Sequence, residues 1–369
     1  MKVTHLTSVH PRKDSRIFHK ECSSLARAGH SVTLLVADGF EPEDLNGVHI
    51  ESVLPFKNRL LRLLIGPYRF FRAARAFRAD VYHLHDPELI ILGILLKIFL
   101  GARIIYDAHE DLPKQIFSKQ YLPAPLRKPL SRLVQFVQWI TLPWLDGLVT
   151  ATPSIRNSLF KLNKNIVDIK NFPIIGELST SEDTHATSRA VCYVGGLFAT
   201  RGIVELIEAA ALLPDNIEIL LAGPMESESF HRSLEQMDGW QHTQYLGVLG
   251  REGVRDLLSR SAVGMVTLSA TPNHLESYPT KMFEYMSAGL PVIASDLPLW
   301  REIVEGAQCG VLVDPGDAKA VSEAILAIVD HQGKAKEMGM NGQRAVLEKY
   351  NWELEAKRLI NFYVMFQPA

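Results

Sequence analysis

The segment ESYPTKMFEYMSAGLPVIASD, residues 276–296, contains a loop, a short helix and a buried strand in immediate succession. Pro279 prevents regular structure before the helix, Thr280 can cap the helix N-terminus, and Gly289 is the residue type that commonly ends a helix. The apolar run after Gly289 predicts a buried strand. Such a unit is typical of a parallel α/β sheet.

Two carboxylates and one amine in this segment point to recognition of a sugar joined to a phosphate. Lys281 lies in the first turn of the predicted helix, where free backbone N–H groups and the positive end of the helix dipole favour an anion. Glu276 in the loop and Glu284 on the helix can accept hydrogen bonds from sugar hydroxyls. The alternative is an ordinary surface pair of Lys281 and Glu284 with a solvated Glu276.

A glycine-rich turn is the second candidate phosphate site. The chain reads YVGGLFATRG over residues 193–202, a strand followed by a turn and then a helix. This arrangement directs backbone N–H groups at a phosphate. The turn alone leaves open a simple connection that binds no ligand.

Together the two segments resemble the retaining glycosyltransferases of family 4. Glu276 and Glu284 match the E-x7-E signature of that family, and the resemblance covers nearly the whole chain. It implies the GT-B fold, in which two Rossmann-like doubly wound α/β domains face a cleft. It also implies transfer of a sugar from a nucleoside diphosphate to a hydroxyl acceptor. Family members hold the diphosphate with two loop cations, but here Gly196 occupies the first position and Arg201 the second, so Lys281 is expected to replace the missing cation.

The resemblance also assigns contacts with the nucleotide sugar. Glu276 is expected to hold hydroxyls of the donor sugar, Glu284 the ribose, and His85 is expected to face the donor sugar near the reaction centre. His83 lies on the same strand face, so the alternation leaves the choice between the two histidines open. The expected catalytic residues are His85, Glu276, Arg201 and Lys281. The expected nucleotide-binding residues are Gly195, Gly196, Arg201, Gly247, Val248, Leu249, Ser277, Tyr278, Pro279, Thr280, Lys281 and Glu284.

Neither a metal ion nor a cofactor is expected, since the donor is itself a UDP- or GDP-sugar. No Asp-x-Asp motif occurs in the chain. Arg201, Lys281 and loop N–H groups are therefore expected to stabilise the leaving diphosphate. Retention is expected to come from front-side attack, because no carboxylate is clearly placed as a nucleophile. A basic loop containing Arg12, Lys13 and Arg16 is expected to approach a phosphate of donor or acceptor, and a solvated loop is the alternative.

Strand and helix patterns alternate twice along the 369 residues, which predicts two doubly wound parallel α/β domains. Residues 1–173 are the predicted acceptor-binding domain and residues 190–350 the predicted donor-binding domain. A Ser/Thr/Glu-rich linker is predicted at residues 174–189. Residues 351–369 are predicted to form a helix that returns to the first domain.

The charge is distributed unevenly between the halves. Residues 1–173 hold 24 Lys and Arg against 15 Asp and Glu, whereas residues 174–369 hold 15 against 26. Residues 56–78 and 125–145 interleave cations with Leu, Phe and Trp, a pattern typical of helices on an anionic membrane surface. Core helices with Arg stems over apolar surface are the alternative. Nucleic acid is not an expected partner, because no nucleic-acid-binding motif accompanies the charge.

We expect a cytoplasmic protein that is peripheral on the inner face of the cytoplasmic membrane. The N-terminus reads as a first strand, and the longest apolar run, Leu89–Leu100, is too short to span a bilayer. Cys22, Cys192 and Cys309 are expected to be buried thiols. The expected acceptor is a lipid-linked saccharide, or another saccharide, in surface-polysaccharide assembly. A GT-B sugar-nucleotide epimerase and a catalytically silent nucleotide-sugar-binding subunit are the alternatives.

Overall fold

The structure is a computed structural model that describes residues 1–118, 122–179 and 188–367. The chain divides into two compact units, one holding Met1–Asn171 with Glu353–Ala369 and the other holding Phe172–Trp352. Residues 180–187 of the predicted linker lie outside the described residues. The start of that predicted linker packs into the second unit, because Leu178 is buried in the core of that unit.

The sheet of the first unit has eight strands over the described residues. They are β1 (Lys2–Leu6), β2 (Ser31–Val36), β3 (Glu43–Leu45), β4 (Val48–Ser52), β5 (Val81–Leu84), β6 (Arg103–Ala108), β7 (Gly147–Thr150) and β8 (Ile166–Asp168). Their order is β3-β4-β2-β1-β5-β6-β7-β8, and neighbours are parallel except for the antiparallel pair β3 and β4. The strand order reverses between β1 and β5, which is where ligands of doubly wound sheets bind.

Helices connect the strands of the first unit. They are the π-helix Ile17–Cys22 and the α-helices Ser23–Arg27, Arg59–Phe77, Ile90–Leu100, Leu112–Ser118, Ala124–Thr141, Pro153–Leu159 and Trp352–Val364. The last of these packs on the sheet of the first unit, where Tyr363 contacts His83 on β5. Gly147 on β7 leaves room for this helix, since a Cβ there would lie 2.7 Å from the Phe362 ring.

The second unit contains a parallel sheet of six strands in the described part of the chain. They are β9 (Ala190–Val194), β10 (Glu218–Ala222), β11 (Thr243–Tyr245), β12 (Val263–Val266), β13 (Val292–Ser295) and β14 (Gly310–Val313). Their order is β11-β10-β9-β12-β13-β14. β9 and β12 are neighbours at the reversal of strand order. The glycine-rich turn that follows β9 and the loop that follows β12 therefore leave the same edge of the sheet.

Helices also connect the strands of the second unit. They are Ile203–Ala210, Glu228–Glu235, Arg251–Ser259, Pro272–Leu275, Thr280–Ala288, Pro298–Ala307, Ala318–Val329 and Gln332–Glu348. The predicted helix after Glu276 is confirmed, and it ends at Gly289, whose φ is +81°. The predicted cap is wrong. Pro279 is the N-cap residue and no side chain caps the helix, because Thr280 already lies inside the first turn.

Tyr285 fixes the Thr280–Ala288 helix on the two strands that carry the candidate site. Its ring packs over Gly264 on β12, where an added Cβ would lie 2.2 Å from the ring. Its hydroxyl accepts a hydrogen bond of 2.8 Å from the N–H of Val194 at the end of β9. The helix, β9 and β12 are thus held in one arrangement by a single buried side chain.

We predict that Gly264→Ala destabilises the second unit, because the new methyl group forces the Tyr285 ring off its place. Overpacking of this kind costs about 1–3 kcal/mol. Gly306→Ala is the matched control, since a Cβ there has nothing within 4 Å in the described structure. Thermal unfolding should show a lower midpoint for Gly264→Ala and an equal or higher one for Gly306→Ala. Equal midpoints for Gly264→Ala and the parent would contradict this account of the helix.

Candidate functional site

The candidate site of the second unit lies at Gly195, directly after β9. Gly195 has a φ of +130°, and its N–H donates to the carbonyl of Ala222 at 2.8 Å. A Cβ built on Gly195 would lie 3.3 Å from Nζ of Lys281 and 3.6 Å from Nη1 of Arg201. The structure therefore brings these three sequence-predicted residues together, with two cations converging on a half-buried turn of backbone.

Lys281 carries a buried amine. Its Nζ has no hydrogen-bond partner among the described residues and lies 3.3 Å from the centroid of the Tyr193 ring, a cation–π contact. Burial lowers the pKa of Lys281 well below its ordinary value, and the charge of Arg201 lowers it further. A buried amine beside a second cation is costly unless an anion joins them.

Gly196 has a steric reason to lack the cation that the family carries there. A Cβ at Gly196 would lie 2.3 Å from the Phe198 ring. The guanidinium carbon of Arg201 lies 5.2 Å from the centroid of the same ring. Phe198 therefore occupies the space of a side chain at residue 196 and supports Arg201 instead.

The loops after β9 and β12 touch, and this contact sets Arg201 opposite Lys281. Gly202 has a φ of +71°, and a Cβ there would lie 1.8 Å from the carbonyl oxygen of Thr267. The N–H of Ser269 donates to the carbonyl of Thr200 at 3.2 Å. Only glycine fits at residue 202, because both the backbone angle and the close approach exclude a side chain.

Glu284 forms part of a three-residue ion-pair group with Arg251 and Glu177. Its Oε1 accepts from Nη1 of Arg251 at 2.7 Å. Nε and Nη2 of Arg251 donate to the two oxygens of Glu177, each at 2.8 Å. The two carboxylates raise the pKa of Arg251 above its ordinary value, although burial opposes this. Sequence reasoning missed Glu177, because it lies in the segment assigned to the linker.

Of the predicted loop residues around Glu276, Ser277 and Tyr278 contact the core of the second unit. Glu276 itself is exposed. The carbonyl of Ser277 accepts from Nε1 of the buried Trp300 at 2.9 Å, and the Tyr278 ring meets the Phe172 ring edge-on at 5.8 Å between centroids. These contacts hold the loop in place before Pro279.

The predicted nucleobase loop follows β11. Gly247 has a φ of +68°, and its carbonyl accepts from the N–H of Gly223 at 2.8 Å. Val248 is 72% exposed, whereas Leu249 packs against the core of the second unit. The loop therefore presents Val248 at the surface with its backbone fixed on both sides.

His274 is a further member of the site that sequence reasoning missed. Its Nδ1 lies 2.8 Å from the carbonyl oxygen of Ser269. Burial lowers the pKa of His274, the Ser269 carbonyl opposes this, and the charges of Arg201 and Lys281 lower it again. His274 is therefore a neutral hydrogen-bonding group beside the two cations. Its position between Pro272 and Glu276 was the available signal.

His85 belongs to a buried polar cluster in the first unit. Its side chain is fully buried, with Nε2 at 2.9 Å from Nδ1 of His5 and Nδ1 at 3.4 Å from Nε2 of His109. Burial lowers the pKa of His85, and the nearby Asp107 offsets this only in part. His109, 3.0 Å from Asp107, has a side chain that is 21% exposed. The role of His85 toward a donor sugar stays a prediction.

The cations of the basic loop are paired within the first unit. Arg12 makes a two-pronged contact with Asp38 at 2.7 and 2.9 Å. Lys13 lies 3.0 Å from a carboxylate oxygen of Glu43. Arg16 is buried, where it donates to Asp107 at 3.0 and 3.1 Å. These pairs give the loop a structural role that the sequence alone did not reveal.

Two family models match the chain, and together they span most of it. The model described as Glycosyltransferase Family 4 matches residues 15–171. The model described as Glycosyl transferases group 1 matches residues 177–345, which include the turn at Gly195 and the helix that carries Lys281 and Glu284.

Individual relatives are similar at low identity. A phosphatidyl-myo-inositol mannosyltransferase of Mycobacterium leprae is 23% identical over 84% of this chain and 80% of its own length. The capsular polysaccharide biosynthesis glycosyltransferase CapM of Staphylococcus aureus is 25% identical over 47% of this chain and 45% of its own. Among solved structures, Anabaena HepE in complex with UDP-glucose superposes with a TM-score of 0.75 at 15% identity, covering 99% of this chain and 100% of HepE. These matches confirm the predicted GT-B fold.

We predict that the Lys281 amine takes up a proton when pyrophosphate binds to the second unit. The pKa of Lys281 is depressed in the free protein, and an adjacent anion must raise it. Binding therefore favours the ammonium form of Lys281. The affinity for pyrophosphate should fall as the pH rises above the pKa that Lys281 has in the free protein. Calorimetry in buffers of different ionisation enthalpy measures this uptake.

Two variants show whether Lys281 is the group that takes up the proton. Pyrophosphate itself also titrates, but its contribution is the same in Lys281→Met and in the control Lys319→Met. Lys319 is 78% exposed and remote from Gly195 in the sequence. Proton uptake should be lower in Lys281→Met and unchanged in Lys319→Met. The same uptake in all three proteins would mean that Lys281 is not the titrating group.

Proposed function

We propose that this chain, which belongs to the family 4 glycosyltransferases, transfers a hexose from a nucleoside diphosphate sugar to a hydroxyl acceptor with retention of configuration. The observation that carries the proposal is the convergence of Arg201 and Lys281 on the backbone at Gly195. Two cations and a glycine turn match the charge and size of a diphosphate. The binding of UDP-glucose by Anabaena HepE, a structural neighbour, supports a donor of this class.

The reaction needs charge stabilisation more than a nucleophile. The bond from the sugar's anomeric carbon to the diphosphate oxygen breaks, and the acceptor oxygen attacks from the same face. The acceptor's proton passes to the departing phosphate oxygen, so no protein base is consumed. Arg201 and Lys281 meet the negative charge that develops on the diphosphate, and this preorganised pair supplies the catalysis without a metal ion.

The two carboxylates orient the donor. Glu276 is exposed in the loop before the helix, where it can accept hydrogen bonds from sugar hydroxyls. Glu284 would hold the ribose while Arg251 pairs with its other side. Val248, exposed after β11, would contact the nucleobase.

We predict that Arg201→Ala and Lys281→Ala each lower turnover by about 10²–10³, as is typical when one preorganised charge donor is removed. The two losses should be similar, because both groups lie within 4 Å of the same point above Gly195. Release of nucleoside diphosphate from a panel of UDP- and GDP-sugars measures turnover, and NMR of the product gives the anomer. Turnover should persist without added Mg²⁺ or Mn²⁺ and in brief EDTA.

Lys319→Ala serves as the control for loss of a lysine charge and should be silent. Parent-like turnover in Lys281→Ala would remove Lys281 from the site. A strict requirement for added Mg²⁺ would mean that a metal does the work assigned to the two cations. Formation of an epimerised sugar nucleotide without hydrolysis would indicate an epimerase in place of a transferase. Binding without turnover would indicate a catalytically silent nucleotide-sugar-binding subunit.

The membrane proposal rests on three neighbouring helices of the first unit. Arg59–Phe77 and Ala124–Thr141 both pack beside Ile90–Leu100. All three helices carry large apolar side chains on their solvent side. Those with more than half of their surface exposed are Leu60, Leu64, Tyr68, Ile91, Ile98, Phe99, Leu126, Leu133, Phe136 and Trp139. A surface with this many exposed apolar groups is typical of an interaction face.

The charge of these helices favours an anionic lipid surface over a protein partner. Arg59–Phe77 and Ala124–Thr141 contain no Asp or Glu. Arg72 and Arg75 are exposed on the first of them, close to the face of Leu64 and Tyr68. Arg62 and Arg69 are engaged internally, Arg62 with Glu88 at 2.8 Å and Arg69 over the Phe56 ring. Among the described residues, no helix is long and apolar enough to cross a bilayer.

A membrane-bound acceptor accords with this surface. The relatives from M. leprae and S. aureus are named for transfer to phosphatidyl-myo-inositol and for capsular polysaccharide biosynthesis, respectively. We therefore assign a lipid-linked saccharide, or another saccharide of surface-polysaccharide assembly, as the acceptor. The chain would act at the inner face of the cytoplasmic membrane.

We predict that Arg72→Gln/Arg75→Gln weakens binding to anionic vesicles. Each cation near such a surface contributes about 1 kcal/mol, so partitioning should fall by roughly 30-fold. Co-sedimentation with phosphatidylglycerol vesicles at low salt measures it, and Arg255→Gln/Lys319→Gln in the second unit is the control. Trp139, 64% exposed, should report insertion by a blue shift of its fluorescence. Vesicle binding that is equal in both double variants would exclude this surface.

A further inference from the structure

The centre of the first unit contains four side chains that are suited to bind a metal ion. His5 on β1 pairs in register with His83 on β5, and His85 follows on the same face of β5. Glu21 approaches from the π-helix Ile17–Cys22. All four residues are buried, and one ligand atom from each lies within 4.8 Å of the others. The cluster lies where the strand order reverses, between β1 and β5.

Several coordinating atoms of this cluster are buried without a hydrogen-bond partner in the described residues. They are Nε2 of His5, Nε2 of His83 and both carboxylate oxygens of Glu21. Oε1 of Glu21 does lie 3.0 Å from Nε of Arg16, but that N–H is directed at Asp107. A buried polar atom left unsatisfied costs about 1–3 kcal/mol, so four such atoms in one cluster need a common explanation.

The hydrogen bonds around the cluster leave the imidazole lone pairs free. Nδ1 of His83 lies 2.7 Å from the hydroxyl of Tyr363, and Nδ1 of His5 lies 2.9 Å from Nε2 of His85. When each Nδ1 carries the proton, each Nε2 keeps a free lone pair that can bind a cation. This is how a second partner orients a metal-binding histidine.

The charges of the cluster also favour a cation. Arg16 is shared between Glu21 and Asp107, with its Nε at 3.0 Å from an oxygen of each. Asp107 also lies 3.0 Å from His109, so among the described residues the negative charge of Glu21 has only this shared guanidinium against it. A proton shared by Glu21 and Asp107 would neutralise that charge, but it would leave Nε2 of His5 and of His83 unsatisfied. A divalent cation satisfies all of these groups together.

We propose that His5, His83 and Glu21 bind one divalent transition-metal ion, with zinc the best match, while Nε2 of His85 accepts the hydrogen bond from Nδ1 of His5 that orients this ligand. Imidazole nitrogens with one carboxylate are a ligand set that zinc favours. Zinc–nitrogen bonds of about 2.0–2.1 Å place tetrahedral ligand atoms about 3.3 Å apart. The present separations of up to 4.8 Å therefore close by side-chain rotation when the ion enters.

The ion would stabilise the first unit and take no part in the chemistry at the diphosphate. It would join β1, β5 and the Ile17–Cys22 helix, three elements far apart in the sequence. Because the ligands are fully buried, brief EDTA should not extract the ion. The site therefore needs its own tests, independent of sugar transfer.

The first test is metal content and cobalt substitution in the full chain. Protein purified without a chelator or a metal-affinity column should contain about one zinc per chain by mass spectrometry. Protein produced in metal-depleted medium should take up one equivalent of Co²⁺ and develop the visible absorption of a tetrahedral site. Absence of both metal and cobalt absorption would overturn the proposal, and this result does not depend on any variant folding.

The second test assigns the ligands. Glu21→Gln and His83→Gln should each weaken Co²⁺ binding at least tenfold and abolish the rise in unfolding temperature that the metal causes in the parent. His49→Gln is the control, since His49 is a surface histidine of the same unit with a side chain 39% exposed. Cobalt spectra that are unchanged in both Glu21→Gln and His83→Gln would place the metal elsewhere and overturn the assignment.

Discussion

The candidate site of the second unit is organised around the buried amine of Lys281. This amine has an aromatic ring on one side, Arg201 on the other and no hydrogen-bonded partner among the described residues. A protein tolerates such a charge when a ligand supplies the opposite one, so the site is built for an anion that is absent from the chain itself. Three glycines lack the side chains that would block the approach of Lys281 and Arg201 to one point. They are Gly195, Gly202 and Gly264.

The two units differ in which buried polar atoms lack a hydrogen-bond partner among the described residues. In the second unit the unsatisfied atoms include Nζ of Lys281, which lies beside the glycine-rich turn at the edge of the sheet and suits a ligand that enters and leaves. In the first unit they include imidazole and carboxylate atoms of His5, His83 and Glu21, which lie beside Tyr363 and Arg16. A buried set of this kind suits an ion that stays, because exchange would require the strands to separate.

Much of the fold followed from local patterns, and the main omissions have physical causes. The helix after Pro279 and its end at Gly289 were predictable, since they depend on neighbours in the sequence. The strands β3 and β4 were missed, because Glu43–Leu45 is short and polar and forms only by pairing with Val48–Ser52. Lys281 was found from its place in the first turn of the predicted helix, and Arg201 from the resemblance to the family. Glu177 and the His5–His83 pair were missed, since they become neighbours only through folding.

The most direct test of the central claim is an NMR titration of the Lys281 side chain with and without a nucleoside diphosphate. We expect a depressed titration midpoint in the free protein, caused by burial and by Arg201, and a clearly higher midpoint when the diphosphate is bound. A midpoint near that of a solvated lysine, unmoved by the nucleotide, would contradict this expectation.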